Sequence, residues 1–130
     1  MKRALALAPA LAAAAFALTA CATASAAPPG PTAGIGEVAV AGSLRIGPIA
    51  VIEDSRCPAN VQCVWAGRLV ILAEVEFKGS SKTLSVNLAL GETLRNHSES
   101  VTLIEAVPDK VVGGSIEPGD YRFTFRASAN

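Results

Sequence analysis

The chain of 130 residues holds one histidine, one tryptophan, one tyrosine, one methionine and three cysteines. Each scarcity removes a class of chemistry. A serine hydrolase needs its imidazole brought to a serine in space, and the lone His97 has only Ser98 and Ser100 nearby in sequence, which is not that geometry. No serine lies in Gly-x-Ser-x-Gly. No phosphate loop and no dinucleotide fingerprint occur, so no cofactor and no catalytic residue are assigned. Charge is scarce and balanced, with 11 basic against 11 acidic side chains. Such a chain has no electrostatic footprint for nucleic acid and no basic patch for anionic lipid. Beyond the N-terminal leader there is also no apolar stripe at the helical period of 3.6.

What is present starts at the N-terminus. Lys2 and Arg3 precede an apolar run from Ala4 to Leu18, and small residues follow. The run is too short and wrongly flanked for a membrane span and reads as an export signal. Leu18-Thr19-Ala20-Cys21 resembles the bacterial lipobox, with cleavage before Cys21 and lipidation of its thiol. The competing site is Ala24-Ser25-Ala26, where ordinary signal peptidase would release a secreted or periplasmic product and discard Cys21. Lipidation makes the chain membrane-anchored while its folded part stays soluble, and several acyl chains on one cysteine anchor it stably. By resemblance to Gram-negative lipoproteins, Ala22 after the cysteine favours the outer membrane in such a host. Residues 1–20 are thus read as signal and 21–36, rich in Ala, Pro and Gly, as a tether. Residues 37–130 form one domain, with nine basic against eleven acidic side chains once Lys2 and Arg3 are gone.

The domain reads as all-β, a small sandwich or partly open barrel of six to eight short, mainly antiparallel strands. Val38 and Val40, then Leu44 and Ile46, give short runs; Gly47-Pro48 punctuates them before the apolar Ile49–Ile52. Leu69, Ile71, Ala73, Val75 and Phe77 alternate with polar residues at the period of two that a half-buried strand requires. Across the turn at Lys78–Lys82, Leu84, Val86, Leu88 and Leu90 complete a hairpin. Residues 93–95 suit a poor edge strand, Val101–Val107 a strand of mixed faces, and Tyr121, Phe123 and Phe125 a closing strand. Val111 and Val112 are expected to pack over an open end of the core.

One stretch is not explained by strand building: Asp54 to Gly67, with two cysteines, the tryptophan, and an acid and a base two positions apart. In an exported chain, Cys57 and Cys63 are most simply a disulfide. A redox pair lacks its usual Cys-x-x-Cys spacing, and a metal site lacks two further ligands. Asp54, Arg56, Trp65 and Arg68 mark a possible binding rim. The plainer reading has Asp54 accept from the loop's own amides and Arg56 pair with a neighbouring carboxylate, with Arg68 a solvated strand edge. Trp65 is expected to pack over the disulfide or cap the core; its alternative is an exposed binding anchor. Glu74 and Glu76 share an outward strand face with Lys78 and read as solvated.

Asp54-Ser55-Arg56-Cys57-Pro58, followed by Val61-x-Cys63-Val64-Trp65-Ala66-Gly67, resembles the hallmark of a family of small exported bacterial proteins, many with a lipobox. The resemblance implies a lipoprotein with a disulfide loop on a β domain, and no established activity or catalytic residue. The loop motifs of chagasin-type protease inhibitors are not found. The expectation is a non-enzymatic envelope lipoprotein that binds or supports a periplasmic or surface partner. A module for metal, glycan or small molecule near Trp65 is the alternative, and a hydrolase the least supported.

Overall fold

The computed structural model describes residues 29–130. The leader, Cys21 and the first part of the tether lie outside them. Eight strands form two antiparallel four-stranded sheets that face each other as a sandwich. One sheet holds β2 (Ala39–Ala41), β3 (Leu44–Asp54), β4 (Leu69–Phe77) and β5 (Thr83–Ala89) in that order. The other holds β1 (Thr32–Ala33), β8 (Arg122–Ala129), β7 (Glu99–Val107) and β6 (Thr93–Arg95).

The core lies between the sheets, where the inward sets of β4 and β8 meet. Leu69, Ile71, Ala73 and Val75 are fully buried, as are Phe123 and Phe125, following the period of two along each strand. Leu44, Ile46, Leu88, Val101 and Leu103 complete it. Burying a side chain of this size contributes on the order of 2 kcal/mol, which offsets the ordering of a chain with little helix. Tyr121 stacks on Phe123, with ring centroids 5.6 Å apart, and closes one end of the core.

Several expectations are refined. Gly47-Pro48 does not break the chain into two strands: β3 runs unbroken for 11 residues, with register shifts between Pro48 and Ala50 and between Val51 and Glu53. An unpaired residue in a ladder changes which face its successors meet. The same device explains the mixed faces of β7. Its register shifts between Leu103 and Glu105, so Leu103 stands opposite Phe125 and Ala106 opposite Phe123, both turned inward. The ladder also begins before Glu37, because Thr32 and Ala33 pair with Thr124 and Phe123. Val111 and Val112 do not cover the core. They are exposed, and Ile116 packs against the core cluster in their place.

Candidate functional site

The β3–β4 hairpin runs past its last core pair, Asp54 with Leu69. Its hydrogen bonding continues outward: Ser55 N donates to Arg68 O at 2.8 Å, and Cys57 N to Ala66 O at 3.0 Å. Gly67 allows this approach. Its φ is +66°, and a Cβ there would lie 1.7 Å from Ser55 O, so no larger residue fits without moving backbone. Cys57 and Cys63 are bonded, with Cα atoms 5.8 Å apart. Sulfurs joined to each other are not thiolates, so the disulfide reading holds and neither sulfur is free to ligate a metal.

The loop is tied sideways to the segment after β7. Ala59 N donates to Lys110 O at 2.8 Å, and Val112 N donates to Asn60 Oδ1 at 3.0 Å. Beneath it Asp54 and Arg56 form a two-point ion pair. Arg56 Nε donates to Asp54 Oδ1 and Nη2 to Oδ2, both at 2.8 Å. The remaining guanidinium donors cross to the other sheet, Nη1 reaching Ala106 O at 2.8 Å and Nη2 reaching Pro108 O at 3.1 Å. Tyr121 Oη donates to Asp54 Oδ2 at 2.9 Å, and Lys110 Nζ donates to Asp54 O at 2.6 Å. The planar fork of arginine suits this many fixed acceptors better than an ammonium would.

The electrostatics follow from these contacts. Burial by itself would raise the Asp54 carboxyl, but the hydrogen bonds from Arg56 and Tyr121 outweigh it and hold the group below the ordinary carboxylate value. The Tyr121 phenol is pushed up to about 12 by burial and by its bond to Asp54. Arg56 is raised by its bond to Asp54. On the outer face, Arg68 bonds Glu53 Oε2 at 2.8 Å, and that bond, with one from Ser55, lowers Glu53.

The four candidate rim residues therefore separate. Asp54 and Arg56 point inward, with side chains 9% and 12% exposed, and act as a clamp between the sheets. This matches the plainer reading, except that Arg56 takes Asp54 itself as its carboxylate. Arg68 lies on the outer sheet face, paired to Glu53. Trp65 corrects the expectation of core packing. It is 82% exposed and Val64 beside it 90%, because the continued ladder carries both beyond the last core pair. With Val61, Val111 and Val112, also exposed, they form an apolar tip of two joined loops. Sequence reasoning missed Tyr121 and Lys110 as partners of Asp54. The one available signal was a tyrosine leading an apolar alternation, since its hydroxyl requires a partner when buried.

Elsewhere, Glu76 pairs with Arg45 at 3.4 Å on the outer face of β3 and β4. Glu74, Glu76 and Arg45 border a small groove over Gly47, and a second groove of about 390 Å³ runs from Val40 to Lys78. Both lie at the other end of the hairpin from Trp65. His97 is exposed at the turn before β7, whereas Asp54 sits where β7 ends, so the two do not share a site. Among the described residues no cluster of three or more His, Cys, Asp or Glu side chains is arranged to hold a metal. Comparison of the chain with protein-family models, with curated proteins and with solved structures found no match.

Proposed function

We propose that the chain is a non-enzymatic envelope lipoprotein that acts by contact, and that its contact surface is the tip carrying Val64 and Trp65. One observation carries the reading: the exposed Trp65 ring stands on a loop braced by a disulfide and by backbone hydrogen bonds. An exposed apolar cluster is unfavourable in water unless something covers it, and tryptophan is the residue type most enriched where binding energy concentrates. The disulfide, the extended ladder and the Arg56 clamp order the loop before any partner arrives, which lowers the entropy lost on binding. Export and anchoring through Cys21 rest on the lipobox resemblance and supply the compartment.

The test places a photo-crosslinking residue at Val64 in intact envelopes, with Ser85 on the outer sheet face as control. Adducts from position 64 and not from 85 are expected. Equal labelling from both positions, or none from 64, overturns the assignment of the tip. Radiolabelled fatty acid incorporated into wild type and lost in Cys21→Ser checks the anchor separately.

A further inference from the structure

The tip has a polarity pattern that selects among partners. Residues 57–67 and 111–116 contain no charged side chain. Of the charges at their base, Arg56 is matched by Asp54 and Arg68 by Glu53, Lys110 Nζ donates to the Asp54 carbonyl, and Asp109 and Glu117 stand exposed. Five of the loop amides are satisfied within the protein. Cys57 N donates to Ala66 O, Ala59 N to Lys110 O, Val61 N to Pro58 O and Gly114 N to Val111 O, while Val112 N donates to Asn60 Oδ1. The amides from Gln62 to Gly67 find no acceptor among the described residues, so the apex suits the interfacial layer, where water and headgroups supply acceptors, and not the hydrocarbon core.

We propose that the tip inserts into the interfacial layer of a lipid bilayer, with Trp65 as its anchor; the proposal rests on the tip being the contact surface. Tryptophan settles at the boundary between headgroups and acyl chains, where an apolar ring with one polar N–H is best accommodated. The tip protrudes, and its five apolar side chains offer a few hundred Å², short of the roughly 800 Å² per partner of a stable protein interface. Two copies meeting tip to tip would cover only part of that. A fluid layer closes around a protrusion and covers all of it.

The tether permits the arrangement. Upstream of Thr32 the chain runs antiparallel to β8, toward the end of the sandwich opposite the tip. The ten residues from Cys21 to Gly30 span about 30 Å when extended, close to the roughly 36 Å of a strand as long as β3. A tilted domain can therefore set its tip in the leaflet that holds its anchor. Because the loops themselves are uncharged and Lys110 is offset by the neighbouring Asp109 and Glu117, the base of the tip has no net positive charge, and insertion should not depend on anionic lipid or on salt.

The test uses the exported chain carrying Cys21→Ser, so that no acyl group contributes, with vesicles of phosphatidylcholine alone or mixed with phosphatidylglycerol. Trp65 is the sole tryptophan and reports on the tip alone. Expected are a blue shift of its emission, quenching by acyl-brominated lipid, and similar partitioning onto both vesicle types at low and high salt. Val64→Asp, at a fully accessible position, should lower partitioning by about tenfold or more while the melting temperature holds. Unchanged emission with either vesicle, partitioning only onto anionic vesicles at low salt, or unaltered partitioning of Val64→Asp each overturns the proposal. If position 64 crosslinks to a protein in envelopes while vesicles leave Trp65 unchanged, the contact role of the tip stands and the lipid assignment falls.

Discussion

Replacing Asp54 by alanine should cost far more than its position at a loop boundary suggests. The substitution removes both bonds to Arg56, at 2.8 Å each, and the one from Tyr121 at 2.9 Å. Arg56 keeps its two backbone carbonyls but is left as an unmatched charge with only 12% of its side chain exposed. Breaking a buried pair from one side costs about 3–5 kcal/mol. This clamp is open to water at one edge, so about 3 kcal/mol is expected. For a domain of this size that lowers Tm by roughly 10–20 °C. Urea denaturation should give the same loss with an unchanged slope, because the core stays intact. Replacing both members, as Asp54→Leu with Arg56→Met, should cost less than the sum of the single changes by at least about 1.5 kcal/mol. A single-mutant loss below about 1 kcal/mol, or an additive double mutant, refutes the clamp.

Other consequences follow from the same contacts. Changing Cys57 and Cys63 together to serine should lower stability by about 2 kcal/mol, the loop-closure value for a ring of seven residues, and proteolysis should then cut first within residues 57–63. Gly67→Ala should destabilise by about 2 kcal/mol or more, because of its left-handed backbone and the Ser55 carbonyl in its path; chemical denaturation reads it. The raised Tyr121 phenol means that the folded chain holds a proton the unfolded chain releases near pH 10. Its contribution is therefore complete below that pH and disappears toward about 12. Some 1–2 kcal/mol should be lost across this window after solvent screening, and Tyr121→Phe should flatten the alkaline profile. Asp54 has the opposite sign. Its lowered carboxyl stabilises the fold above the ordinary aspartate value of about 3.9 and ceases to do so as pH falls below it, as acid unfolding of wild type and Asp54→Asn should show.

The sequence carried the sheets well where alternation is regular. In β4 every inward position from Leu69 to Val75 could be read off, because a strand with one buried face must repeat every two residues. It carried β3 and β7 less well, since a register shift reverses the face without leaving a mark in composition. Gly47-Pro48 looked like punctuation and is instead part of a continuous strand. The disulfide was legible from cysteine number and the expectation of export, and the bond is present. Trp65 was not. An apolar ring beside a disulfide suits a core as well as a tip, and the deciding fact is how far the hairpin continues past Asp54 and Leu69. The clamp was half legible: the acid and base two positions apart were visible, but Tyr121 lies 67 residues away, and only the closing of the sandwich brings it to Asp54.

The central claim is that the bracing of this loop serves to hold an apolar ring out in water. Acrylamide quenching of the single tryptophan in the folded, unbound protein tests it most directly. The account predicts emission close to that of tryptophan in water and quenching nearly as efficient as in the unfolded chain. A blue emission that acrylamide barely reaches would place the ring inside the domain and contradict it.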